Sequence, residues 1–268
     1  MNIFFYFIIF VIGILFGSFY TLAVHRIPRG ENITHKHSYC PNCNNKLGFF
    51  ELIPVLSYIA LGGKCKHCGK KIRPRYLVLE LLSGVIFVLL ALGLKLDIYN
   101  LQIPNLIFFG FGSLYITIIL LIAGIDKENK KAEKSVLYFG LIIAVSYIVY
   151  LYIVEQISIY RYVIYLIVFL ILIVSDNIIL KKYSKESYTN GILILVAIMA
   201  VFTGEFVTIA TTIIALTAIA LYILIRKIIN LKDKAKTENK KISNNISIAY
   251  FLCCSNIIAF LTTLAMYN

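Results

Sequence analysis

Six apolar runs, near residues 2–24, 77–95, 103–125, 135–154, 159–180 and 247–267, are each long enough to cross about 30 Å of hydrocarbon as a helix. A chain with so many such runs cannot bury them all in one water-soluble core. Of its 268 residues 60% are hydrophobic and 15% charged, and the mean hydropathy is +0.86, which leaves too little polar surface for a soluble globule. A further stretch, Gly191 to Ile225, is too long for one ordinary helix and is broken by Thr203, Gly204 and Glu205, so it reads as a short span followed by a longer one. The expected fold is an all-α polytopic membrane protein with about eight transmembrane helices. Met1 to Val24 holds no Lys or Arg and so lacks the basic n-region of a secretory signal, which makes it a retained first span.

The formal net charge of +13 is informative through its placement. Arg26, Arg29, Lys36, Lys46, Lys64, Lys66, Lys70, Lys71, Arg73 and Arg75 crowd the loop after the first span, against Glu31 and Glu51. Lys127, Lys130, Lys131 and Lys134 mark a second basic turn, Lys181, Lys182 and Lys185 a third, and the run from Arg226 to Lys241 a fourth. The alternate turns, near Asp97, Arg161 and Glu205, are nearly free of positive charge. This is the pattern of basic residues retained on the cytoplasmic side of a cell membrane, so the charge reports topology and a lipid bilayer, and nucleic acid is not expected as a partner. Three regions follow: a first span at 1–24, a cytoplasmic loop at 25–76, and a helical membrane domain at 77–268 with a polar cytoplasmic linker at 227–245.

Four of the six cysteines sit in that first loop as Cys40-Pro-Asn-Cys43 and Cys65-Lys-His-Cys68, separated by the twenty-one residues Asn44 to Lys64. Each CxxC turn aims two thiolates at one ion, and two such turns close a tetrahedral sulfur site of the structural zinc kind. A loop of about fifty residues with few large apolar side chains is near the size at which a core alone fails and a metal is recruited. Four sulfur ligands leave no open position, so the zinc is expected to organise the loop and not to activate water. His67 is expected to face solvent. Cys253 and Cys254 are read as small hydrophobes of the last span.

The stretch Gly13-Ile-Leu-Phe-Gly17-Ser18-Phe19 with Arg26-Ile-Pro28 resembles the opening of the type IV prepilin leader peptidases. The resemblance continues through Cys40-Pro-Asn-Cys43, Ile53-Pro54-Val-Leu-Ser57-Tyr58, Gly62-Gly-Lys-Cys65-Lys-His-Cys68, Ile72-Arg73-Pro74-Arg75-Tyr76 and Glu80, and later in span order, ending at Lys241-Ile242 before the last helix. It implies an intramembrane aspartyl peptidase that cuts the basic leader from type IV prepilin or pseudopilin precursors, with N-methylation of the new terminus from S-adenosylmethionine. The resemblance further implies two carboxylates that share one proton and activate a water.

Asp126, in Gly124-Ile125-Asp126 at the end of an apolar run, matches the first of these acids, although the Ile-Pro usual a few residues on is here Ala132-Glu133. The family's Gly-x-Gly-Asp motif is absent. Aligning the spans puts Gly191 on its second glycine and Ile192 on its aspartate, and an isoleucine cannot share a proton. Asp176, in Val174-Ser175-Asp176-Asn177, is an ionisable residue at membrane depth and the candidate substitute, with pairing to Lys181 or Lys182 as the plainer account. Glu186 reads as a solvated loop charge, and Glu205 is expected on the opposite face. A member that has lost proteolysis, and persists as a methyltransferase or a prepilin-binding partner, is the alternative.

Gly13 and Gly17 form a small-xxx-small pair that admits a neighbouring helix, with Ser18 able to hydrogen-bond across the contact. Arg26, Arg73 and Arg75 read as interfacial anchors or as holders of an acidic group. Glu80 is placed to pair with Arg75 or with a basic leader residue.

Overall fold

In the computed structural model, residues 2–33, 37–40, 42–181, 188–233 and 246–267 are described. Among the described residues eight α-helices follow in order: α1 (Asn2–Arg26), α2 (Leu56–Ala60), α3 (Arg75–Gly93), α4 (Ile103–Asn129), α5 (Lys134–Ile153), α6 (Tyr160–Lys181), α7 (Tyr188–Asp233, kinked at Gly204) and α8 (Ile248–Tyr267). Helices close their backbone hydrogen bonds within the segment, which is what hydrocarbon demands.

Among the described residues six helices are long and apolar enough to cross a bilayer: Ile3–Arg29, Arg75–Gly93, Ile103–Asn129, Lys134–Ile153, Tyr188–Ile228 and Ile248–Met266; the apolar part of α6 counted there is Tyr160–Leu172. The span Tyr188–Ile228 is two helices. Gly204 interrupts it at φ 79° and ψ 170°, a conformation that only glycine holds without strain. The interruption falls where Thr203-Gly204-Glu205 places it. The hydroxyl of Thr203 donates to the Met199 carbonyl at 2.9 Å and that of Thr208 to the Gly204 carbonyl at 2.7 Å, so threonines cover backbone acceptors around the kink. With the apolar side chains of α3, α5 and α6 turned outward, the chain is a multi-pass membrane protein.

The chain divides into two compact units within α4. The first is Met1–Ser113 with Leu264–Asn268, and the second Leu114–Thr263. In the first unit α1 lies antiparallel on α3, with Gly13 opposite Gly84 and Gly17 opposite Glu80. A Cβ on Gly13 would stand 2.8 Å from the Gly84 Cα, and one on Gly17 would stand 2.7 Å from the Glu80 Cα. The pair Gly13 and Gly17 therefore does admit a neighbouring helix. Phe16 and Phe87 fill the space beside the contact at 5.4 Å between ring centres.

The second unit is centred on α4. Ile118, Ile119, Ile122 and Ile125 are fully buried, along with Leu195 and Ile198 of α7. Phe202 is stacked between Tyr115 at 4.5 Å and Tyr147 at 4.8 Å. The phenol of Tyr115 donates to Asn256 of α8, whose amide donates to Thr211 of α7 at 3.2 Å. This buried polar chain ties three helices together. Polar groups inside a membrane bundle need such partners, because lipid offers none.

Candidate metal centre and carboxylate site

The two CxxC turns of the first unit are built alike. The Cys40 N–H donates to the Asn45 carbonyl at 3.0 Å and the Asn44 N–H to the Cys40 carbonyl at 2.8 Å. At the equivalent places the Cys65 N–H donates to Lys70 and the Gly69 N–H to Cys65, both at 2.9 Å. Asn44 and Gly69, each following the second cysteine, have φ of 58° and 67°, and a short antiparallel bridge closes each turn, Tyr39 with Lys46 and Lys64 with Lys71. Asparagine and glycine are the residues that tolerate this left-handed conformation. Residues spaced alike therefore fold into two matching knuckles.

Their four sulfurs lie within 4.8 Å of one another, and the Cys40 and Cys68 sulfurs are 3.9 Å apart. A tetrahedral zinc with bonds of about 2.3 Å has sulfur–sulfur edges of about 3.8 Å. The cluster fits a metal ion in donor type, number and spacing. Burial would push the Cys40 thiol up, but backbone N–H groups of Asn42 and Cys43 and the thiols of Cys65 and Cys43 bring it down to about 7. Cys43 has an N–H from Asn45 favouring its thiolate, yet burial and the neighbouring sulfurs carry it up to about 11. His67 is exposed and stands 3.7 Å from Glu51, outside the ligand set.

Below the knuckles a cavity of about 660 Å³ lies among the ends of α1 and α3 and the loop. Basic groups dominate its wall: His25, Arg26, Lys66, Lys70, Lys71, Arg73 and Arg75, against Glu51 and Glu80. Arg26 is only 4% exposed, and its guanidinium donates to the carbonyls of Asn32 and His37, each at 3.1 Å. It thereby tethers the start of the loop. Arg73 is exposed, and Arg75 stacks over Tyr76 at 5.1 Å.

Glu80 is buried, and its Oε2 accepts the Val55 N–H at 2.8 Å, with the Ser18 hydroxyl as another partner. Ser18 does bond across the α1–α3 contact. Val55 has φ 61° and ψ −52°, and the Leu56 N–H reaches over it to the Pro54 carbonyl at 2.6 Å. This is the rarer, strained form of γ-turn, on a β-branched residue, with a cost of roughly 1–3 kcal/mol. The buried Glu80 carboxylate helps hold it. Sequence reasoning assigned Glu80 to a basic partner because a backbone N–H twenty-five residues away leaves no mark in residue type.

In the second unit Asp126 is fully buried near the end of α4. One carboxylate oxygen accepts the Tyr188 phenol at 2.8 Å and the other accepts the Tyr250 N–H at 2.9 Å. Tyr188 also accepts the Ala249 N–H at 3.2 Å, and Ser247 donates to the Asp126 carbonyl at 3.3 Å. Tyr250 is the third residue of α8, so Asp126 supplies an acceptor to the orphan N–H groups of a helix start and sits at its positive end. Among the described residues neither partner of the carboxylate is an acid. Ile192 is half-buried in the second turn of α7, and a Cβ on Gly191 would stand 2.5 Å from that of Ala132. Asp176 falls within α6, but its side chain lies outside the described residues, as do Lys181, Lys182, Lys185 and Glu186. Glu205 accepts the Tyr165 phenol. Tyr188 escaped the sequence reading because a tyrosine opening a helix gives no sign of a distant carboxylate.

Residues 11–94 match a family model described as the bacterial peptidase A24 N-terminal domain. Curated relatives named prepilin leader peptidase/N-methyltransferase include one from Klebsiella pneumoniae, 31% identical over 128 residues, covering 46% of this chain and 52% of that protein. One from Bacillus subtilis is 34% identical over 134 residues, or 50% of each chain. One from Myxococcus xanthus is 40% identical over 79 residues, 30% of this chain and 24% of that protein. The chain thus spans about half the length of the Klebsiella and Bacillus proteins. No solved structure matches. Residues 11–94, which carry the paired knuckles, thus match the bacterial peptidase A24 N-terminal domain, and about half of the chain is similar to prepilin leader peptidase/N-methyltransferases.

Proposed function

We propose that the chain is a prepilin-processing enzyme of the cytoplasmic membrane, cutting the leader from type IV prepilin or pseudopilin precursors and methylating the new terminus. The observation that carries this reading is the first unit itself, in which the family-matched segment folds into two matching knuckles with four convergent thiols. The metal is zinc, chosen by four sulfur donors, and its part is to hold residues 25–76 as a rigid substrate-handling loop on the cytoplasmic side. S-adenosylmethionine supplies the methyl group. The basic cavity is of a size that suits such a cofactor, and its lining suits the cofactor's carboxylate. Residues 77–268 act as the peptidase-like membrane domain.

In this reading Asp126 is one acid of the proteolytic pair and Asp176 the other. Both stand near the ends of apolar helices that run in the same direction across the bilayer when spans alternate. A shared proton between two close carboxylates keeps one acid and one base available near neutral pH. The test is incubation of the detergent-solubilised chain with a type IV prepilin, following leader removal by mass. Asp126→Ala and Asp176→Ala are each expected to abolish the cut.

A second reading rests on Ile192 and on the occupied carboxylate of Asp126: a member that binds prepilin and methylates without cutting. Under it the same incubation leaves the leader in place, and Asp176→Ala changes nothing.

A further inference from the structure

We propose that the segment from Phe49 to Ile59, which links the two knuckles, is a foot that inserts into the headgroup boundary of an anionic phospholipid leaflet. Phe49 and Phe50 are 77% and 80% exposed and meet edge to face at 5.7 Å, while Leu56 and Ile59 of α2 are 64% and 65% exposed. So many large apolar groups bared within eleven residues are ordinary on a span but not on a loop between polar knuckles.

The depth of the segment follows from one hydrogen bond. The Val55 N–H donates to Glu80, and Glu80 lies five residues into α3, about 7.5 Å along the helix axis from Arg75. The middle of the segment is therefore level with the second turn of a span. At that level Val78, Leu81 and Leu82 of α3 face outward, and Gly17 of α1 lies against Glu80. The bared side chains of the loop thus stand near the depth of outward-facing side chains of α3.

Charge selects the kind of leaflet. Between Phe49 and Arg75 the single acid is Glu51, whereas Lys64, Lys66, Lys70, Lys71, Arg73 and Arg75 follow the foot closely. An apolar foot with a basic belt is the arrangement that attracts phosphate headgroups while burying aromatic side chains beneath them. The strained turn at Val55 redirects the chain at the point where the foot meets α3.

The chain has no tryptophan, so Phe50→Trp gives a single indole. The full-length variant is reconstituted in phosphatidylcholine vesicles with and without phosphatidylglycerol, beside Lys46→Trp at an exposed knuckle position. With anionic lipid, Phe50→Trp should emit to the blue of Lys46→Trp and be quenched several-fold more strongly by shallow brominated lipid, while iodide quenches Lys46→Trp several-fold more strongly. The lipid quenching should weaken without phosphatidylglycerol. Leu56→Trp repeats the measurement should Phe50→Trp fold poorly. Equal iodide access at both positions overturns the proposal, as does protection appearing only when an apolar prepilin-like peptide is added, which would make the patch a protein-docking face. Equal lipid quenching in both vesicle types overturns the role of the basic belt.

Discussion

The Tyr188 phenol donates to the Asp126 carboxylate at 2.8 Å while accepting the Ala249 N–H at 3.2 Å, so one hydroxyl joins the start of α7 to the end of α4 and the start of α8. Removing it leaves a buried carboxylate oxygen and a helix-start N–H without their partner. Tyr188→Phe is expected to destabilise the chain by about 1–3 kcal/mol. Thermal unfolding of the detergent-solubilised protein checks this, and an unchanged midpoint would mean that water replaces the phenol without cost.

The α1–α3 contact makes a sharper prediction because nothing flexible stands in the way. A Cβ at Gly17 meets the backbone of Glu80 at 2.7 Å, so Gly17→Val forces the two helices apart. Overpacking of this kind costs about 1–3 kcal/mol. The same Val placed at lipid-facing Leu15 should leave the midpoint nearly unchanged, and the comparison separates the contact from the general effect of a β-branched residue.

For the knuckles, metal removal should loosen the loop from Tyr39 to Lys71 without unfolding the spans. Chelation, or Cys65→Ser, is expected to raise the rate of proteolytic nicking within residues 38–72 many-fold while the helical circular dichroism stays nearly constant. Binding requires thiolates, and the Cys40 thiol sits at about 7 with Cys43 at about 11. Metal uptake therefore releases protons, and zinc affinity should fall as the buffer is taken from neutral to mildly acid. Competition with a zinc indicator measures the direction.

Arg26 offers a test that separates charge from tethering. Its guanidinium holds two loop carbonyls at 3.1 Å, and hydrogen bonds to a charged group are worth about 1.5–3 kcal/mol. Arg26→Leu should destabilise the protein by about 2 kcal/mol. Arg73→Leu, at an exposed site, should have little effect. Equal effects from the two would contradict the tethering role of Arg26.

Much of this architecture is legible in residue order, because hydrocarbon permits few solutions. Apolar length finds the spans, Thr203-Gly204-Glu205 finds the break at the kink, Gly13 and Gly17 find the close helix contact, and the two CxxC turns find the thiol cluster. What residue order hides are contacts made across long separations. Asp126 meets residues 62 and 124 positions away, Glu80 is occupied by a backbone N–H, and Arg26 turns inward toward carbonyls. The hydrogen-bond partners named here are backbone groups and a hydroxyl, which carry no charge or spacing that a sequence pattern registers.

The most direct measurement is the intact mass of a type IV prepilin after incubation with the reconstituted chain and S-adenosylmethionine. The account predicts a product that has lost its leader and gained one methyl group, with Asp126→Asn and Asp176→Asn each leaving the precursor uncut. A precursor that keeps its leader, under conditions in which the Bacillus subtilis relative removes it, would contradict the proteolytic role.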